Sequence, residues 1–313
     1  MLRSKSRRCA APSSSGVTVV YSARYAIDIG PHVFKTEKYQ RVHDRLLATR
    51  DPALQGVVEP ELISWDQLAE VHTGEYLEKV RTLSLSSEEI VELQLPLNEP
   101  MVEGFRLMTG GTLTAARLAL ADGIAAHIGG GFHHAFANHG EGFCLFNDIA
   151  VAIEVLRREG AVSRAAVVDL DVHHGNGTAM IYGRDPSVFT FSMHEQHNYP
   201  VFKPRGSLDI GLAAGTDDAT YLEKLAAALP QIAAHDPDLM VYLAGADPFE
   251  DDQLGNLELT KHGLWERDRL VLRTVRAAGC PVVILPAGGY ARELVDTVDI
   301  HVATIEAALT PLP

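Results

Sequence analysis

A chain of 313 residues, 46% of them hydrophobic, can build one large α/β domain or two small ones, and no apolar run reaches the ~20 residues of a membrane helix. The formal charge is −14, and the first sixteen residues carry Arg3, Lys5, Arg7 and Arg8 with no acid, so −14 less the tail's +4 leaves the remainder near −18. Such a surface repels phosphate backbones and suits cationic ligands such as lysine side chains, basic peptides or polyamines, while also serving solubility.

The start, MLRSKSRRCAAPSSSG, has basic residues but no apolar stretch behind them, so no secretory signal is expected. Residues 1–16 read as a flexible basic tail ahead of one domain spanning 17–313. Val17–Tyr21 is the first predicted strand, and a helix follows over Thr36–Ala48, with His32 and His43 expected as structural or surface residues. Trp65–Leu83 has a helical pattern, and His72 within it is expected to be structural. Ser86 and Glu89 form a capping-box pair that opens a short helix. Glu103–Leu120 is a longer helix in which Gly110–Gly111 either weakens the pattern or marks a close helix contact.

From there strands at Ala125–Ile128, Ala165–Leu170, Val188–Ser192, Leu239–Ala244 and Val282–Pro286 alternate with helices. The helices are predicted over Asp148–Arg158, Thr220–Ala233, Lys261–Ala278 and Arg292–Leu309. This alternation predicts an α/β domain on a parallel sheet covered on both faces, without repeat or linker. Cys9, Cys144 and Cys280, odd in number and widely spread, make no disulfide framework and point to a reducing, cytoplasmic setting.

In open parallel sheets ligands bind beyond the carboxyl ends of the strands, and four polar clusters fall at four such ends. The densest is VVDLDVHHGNGT, Val167–Thr178. In an extended chain Asp169, Asp171 and His173 share a side, and two carboxylates with an imidazole are costly to bury without a cation. GGGFHHAF sets His133 and His134 just beyond three glycines. GADPFEDD begins its acids with Asp247, and AGGY ends at Tyr290. A catalytic zinc keeps three protein ligands and an open position. Asp171 and His173 are the natural pair, and Asp247 can supply the third from a neighbouring strand. Asp169 is either a further ligand or, deeper in its strand, the residue that holds a histidine. An adjacent histidine pair facing such a metal suits acid–base work, with Asp169 and Asn176 as acceptors for the other ring nitrogens. A phenol at Tyr290 opposite a Lewis acid would stabilise an oxyanion. Phe143 and Tyr199 would line a channel for an alkyl chain or belong to the core.

GGGFHHA, GFCLFND, VDLDVHHGNG, GADPFEDDQLG and AGGY stand in the order and approximate spacing of the zinc-dependent histone deacetylase family, which the chain resembles from about Val17 to Ala308. That family includes acetoin-utilisation proteins and acetylpolyamine amidohydrolases. MTGGT, GTDDATYLEK and the bare GGY look most like its class IV branch and bacterial members. The resemblance implies the arginase/deacetylase fold, a single α/β domain with a central, mainly parallel sheet of about eight strands flanked by helices. It implies Zn2+ on Asp171, His173 and Asp247, with Fe2+ able to use the same ligands. His134 matches the general base and acid, His133 the supporting histidine oriented by Asp169, and Tyr290 the carbonyl-polarising tyrosine. Gly142 and Phe143 match one wall of the acyl-lysine tunnel, Tyr199 the other, and Leu254 its rim. A structural K+ would lie among Asp169, Asp171, His173, Ser192 and Met193.

One departure concerns the second histidine, whose partner is Asn176 where class I members have aspartate; an amide cannot hold the ring's charge as a carboxylate does. The implied activity removes acetyl or longer acyl groups from the ε-amine of lysine in peptides or proteins. An acetylpolyamine and a long-chain fatty-acyl-lysine are the alternative substrates. The acidic run Glu250–Asp252 would favour a cationic substrate, and no nucleic acid or membrane partner is expected.

Overall fold

The computed structural model describes residues 16–310, so all of the basic tail except Gly16 lies outside the described residues. The strands are β1 (Val17–Val20), β2 (Leu54–Val58), β3 (Ile124–His127), β4 (Ala165–Asp169), β5 (Val188–Glu195), β6 (Leu208–Leu212), β7 (Leu239–Leu243) and β8 (Val282–Leu285). They form one sheet in the order β2-β1-β3-β8-β7-β4-β5-β6, and every pairing is parallel. Central strands such as β4, β7 and β8 are buried along their whole length, as expected when both faces of a parallel sheet are covered.

The helices are α1 (Glu37–Thr49), α2 (Trp65–Leu68), α3 (Gly74–Arg81), α4 (Ser87–Leu93), α5 (Glu99–Asp122), α6 (Asp148–Arg158), α7 (Asn176–Tyr182), α8 (Asp218–Ala234), α9 (Lys261–Ala278) and α10 (Leu294–Leu309). One group joins α5 to α6, and another runs α1–α10–α9–α8. Among the described residues no helix is long and apolar enough to cross a membrane.

Two departures from the predicted elements have local causes. The helical pattern of Trp65–Leu83 is broken into α2 and α3, because Thr73 caps a new start: its side chain accepts from the Tyr76 amide and its own amide donates to the Ala137 carbonyl. The long helix begins earlier than Glu103, at Glu99, where Asn98 accepts from the Met101 amide at 2.9 Å. Gly110 and Gly111 mark close contact, not a weak helix. A Cβ at Gly110 would collide with the Glu61 carbonyl, and one at Gly111 with the His127 ring and the Tyr25 hydroxyl.

Several histidines are buried in this frame. His72, on the turn before α3, accepts from the Asn147 amide at 3.1 Å, and burial lowers it to about 4. His127, at the end of β3, sits between the Tyr25 and Thr112 hydroxyls, and burial lowers it to about 3. A depressed histidine contributes stability above its unfolded value of about 6.5, and that stability is lost as pH falls toward the folded value. Chemical denaturation across pH should therefore show a loss from pH 6.5 downward, to which His72 contributes on the order of 3 kcal/mol by pH 4. A His72→Gln variant should flatten that limb; an unchanged slope would remove His72 from the account.

Candidate active site

Strand β4 ends at Asp169, and the chain continues past the sheet edge so that Asp171 and His173 face Asp247, which follows β7 directly beside it. The three are buried, and one ligand atom from each lies within 4.8 Å of the others. His173 Nδ1 is 3.0 Å from Asp171 Oδ1 and 3.5 Å from Asp247 Oδ2. Backbone amides hold the other carboxylate oxygens: Val172 donates to Asp247 Oδ1 at 2.9 Å, and Gly288 to Asp171 Oδ2 at 3.1 Å. Asp247 Oδ2 is buried without a hydrogen-bond donor. Burial and the neighbouring Asp171 carboxylate push the Asp247 carboxyl up, whereas the two carboxylates outweigh burial at His173 and lift it to about 10. Gly288 is required, since a Cβ there would strike both carboxylates. An unsatisfied buried oxygen beside a second carboxylate and an imidazole is a donor set that fits a divalent cation.

The glycine turn Gly129–Gly131, all at positive φ, delivers the histidine pair. It is pinned from outside the predicted site by Asp148, at the start of α6, which accepts from the Gly131 amide at 2.9 Å and the Phe132 amide at 2.7 Å. His133 Nδ1 meets Asp169 Oδ2 at 2.7 Å, and His134 Nδ1 meets Asn176 Oδ1 at 2.7 Å. The two Nε2 atoms converge at 3.1 Å, and His133 Nε2 is 3.8 Å from Asp171 Oδ1. His174, next in sequence to His173, turns away toward Asp209 at 3.4 Å and the His194 ring.

These groups open into a cavity of about 250 Å³ lined in part by Gly142, Phe143, Tyr199, Leu254 and Tyr290. Phe143 stacks edge-on to Tyr290 at 5.9 Å, and Tyr199 stands edge-on to His134 at 5.0 Å. Gly142 and Phe143 both have positive φ, and a Cβ at Gly142 would sit 2.9 Å from both the His134 and Tyr199 rings. Asp169 and Ser192, the side chains expected at a potassium site, are buried partners in register across β4 and β5, where Ser192 also bonds His194 at 3.0 Å. All the catalytic, metal and tunnel residues expected from the sequence therefore meet at one end of the sheet.

Three residues in this region were not legible as site residues. Lys38 is wholly buried on α1, donating to the Ala287 carbonyl at 3.0 Å and lying 5.5 Å from the Tyr290 ring centre; burial lowers it to about 8 against the pull of Asp247 and Asp171. Asp252, expected in an acidic run open to substrate, is buried and accepts from the Tyr290 and Leu254 amides at 2.7 and 2.8 Å, so it fixes the tyrosine loop and the rim. Glu141 bonds both Asn176 and Tyr199. A carboxylate between two glycines carries no sequence signal for either contact.

Residues 32–305 match the family of the histone deacetylase domain. The chain is 40% identical over 294 residues to an uncharacterized protein of Picosynechococcus sp., covering 91% of this chain and 96% of that one. It is 33% identical to histone deacetylase 2 of Arabidopsis thaliana, over 91% of this chain and 78% of that protein. With the acetoin utilization protein AcuC of Bacillus subtilis it shares 32% identity, over 83% of this chain and 73% of the other. The crystal structure of the HDA15 HD domain superposes with a TM-score of 0.77 at 23% identity, covering 95% of this chain and 89% of that domain, a likeness of fold.

Proposed function

The chain belongs to the histone deacetylase family, and from that premise we propose that it hydrolyses the amide between an acyl group and the ε-amine of a lysine in a peptide or protein, with Zn2+ as its metal. The observation that carries this reading is the convergence of Asp171, His173 and Asp247 with the His133–His134 pair and Tyr290 around one cavity. Asp171, His173 and Asp247 would hold the ion, which when bound supplies a Lewis acid for the amide carbonyl and a more acidic water. Fe2+ fits the same donors, and a structural K+ beside Asp169 and Ser192 belongs to the same reading.

His134, with its Nδ1 bonded to Asn176, has Nε2 turned toward the cavity to take the proton of the attacking water. The Tyr290 phenol donates to the oxygen that becomes negative as the carbonyl carbon turns tetrahedral. The C–N bond then breaks as a protonated histidine gives its proton to the leaving amine, releasing lysine and a carboxylate. Phe143 and Tyr199 would flank the alkyl stem of the lysine, and Leu254 would add an apolar rim.

The lining favours a second substrate within the same chemistry. The same cavity is lined by Phe34, Phe132 and Cys144, apolar side chains suited to an acyl chain longer than acetyl. A polyamine is less well served, because the one carboxylate among the described lining residues is the metal-site Asp171. Hydrolysis of acetyl-, octanoyl- and myristoyl-lysine peptides and of acetylspermidine should place the lysine peptides ahead of the polyamine. No hydrolysis of any acyl-lysine by metal-replete protein would overturn the reading.

A further inference from the structure

We propose that Glu141 is a positioning residue that fixes which end of the Asn176 amide faces His134, and so which nitrogen of His134 carries its proton. The inference rests on the reading of His134 as the base. An asparagine side chain offers an acceptor at one end and donors at the other, and either could in principle face an imidazole. An ionised carboxylate only accepts. Glu141 Oε1 lies 2.8 Å from Asn176 Nδ2, so the amide's NH2 must point to Glu141 and its oxygen to His134 Nδ1, 2.7 Å away. His134 is then protonated on Nδ1 and bare on Nε2, the form a base requires.

Several contacts keep Glu141 in this state. The same Oε1 accepts from the Tyr199 hydroxyl at 2.8 Å, and Oε2 lies 3.6 Å from His139 Nε2. Half-burial raises the carboxyl, but His139, Tyr199 and Asn176 outweigh it and hold it below the ordinary glutamate value. Its backbone exchanges hydrogen bonds with Cys144 at 3.1 and 2.9 Å, so the position is fixed independently of the side chain. A carboxylate one residue removed thus orients the neutral amide without placing its own charge against the ring, and it tethers the Tyr199 wall to the same oxygen.

The test compares wild type, Glu141→Ala, Glu141→Gln, Asn176→Asp and both Glu141 changes combined with Asn176→Asp, using the metal-replete full chain and an acetyl-lysine peptide. Glu141→Ala should lower kcat by roughly 10–100-fold with little change in KM, the range usual for loss of a residue that orients another. Glu141→Gln should recover most of that loss, since its carbonyl still accepts from Asn176. Asn176→Asp places two carboxylates in contact, so in that background Glu141→Ala and Glu141→Gln should leave kcat equal or higher. The same loss from Glu141→Ala in both backgrounds, or a rise in KM alone, would overturn the proposal. If Glu141→Ala does not fold, the Gln variant decides: a kcat lowered by Glu141→Gln in the Asn176→Asp background counts against it. Nitrogen-15 NMR of the histidines separates this inference from the function it rests on, because it needs no turnover. The His134 proton should sit on Nδ1 in wild type and move to Nε2 in Glu141→Ala. An unchanged tautomer would sink the inference even in an active enzyme, whereas a correct tautomer in a protein without amidase activity would sink only the proposed reaction.

Discussion

Replacing His134 with alanine is expected to lower kcat by roughly 10²–10⁴-fold while the protein stays folded. The assignment follows from how differently two adjacent rings are held. Burial and the charges of His133 and His173 drive His134 well below the ordinary histidine value. At His133 burial acts the same way, but Asp169 and Asp171 outweigh it and lift that ring to about 9. A cation beside the aspartates would lower both rings without reversing their order, because only His133 has a carboxylate on its Nδ1 and His134 has an amide. Opposed environments of this kind separate the base from the group that carries charge. His134 is neutral near pH 7 and able to accept a proton, whereas His133 supports charge and should tolerate loss with a smaller effect. Steady-state kcat on an acetyl-lysine peptide, with circular dichroism to verify folding, decides the matter. Near-wild-type kcat in the His134→Ala protein would remove it from the base's role.

The six strands legible in the sequence are contiguous in the sheet, β1-β3-β8-β7-β4-β5, and the two that were not are its edges. The cause is physical. β2 (LQGVV) and β6 (LDIGL) alternate partly buried with exposed positions and contain a glycine, so neither presents the continuous apolar run of a strand covered on both faces. The candidate metal ligands were legible as a cluster because their chemistry is carried by residue types at short spacing, Asp171 and His173 two apart, beside a strand end. Residues that act through the fold were not. Lys38 falls in a polar stretch of α1 and by pattern belongs on its wet side, yet it is buried against Ala287, which is 249 positions away. Glu141 reaches Asn176 across 35 positions and Tyr199 across 58, distances at which no periodicity connects them.

An Asp247→Asn protein should lose its metal and with it turnover, yet without metal it should be the more stable of the two. In the metal-free wild type at pH 8, Asp247 is a buried carboxylate with one oxygen lacking a donor and Asp171 beside it. Burial and Asp171 raise its folded value by more than the nearby His173 lowers it, and a raised carboxyl costs stability as pH rises through that value, so the ionised form weakens the empty protein. An amide of the same shape keeps the Val172 contact to Oδ1 and removes the repulsion. With metal present the order should invert. Three converging donors bind the ion and gain about 4 kcal/mol of stability at a free-metal concentration near 1,000 Kd, whereas two donors gain far less. Thermal melts of both proteins at pH 8, with a chelator and then with excess Zn2+, should cross: variant above wild type first, wild type above variant second. If wild type melted higher in both conditions, the unsatisfied Asp247 oxygen would not be a place kept for a cation, and the proposed reaction would lose its Lewis acid.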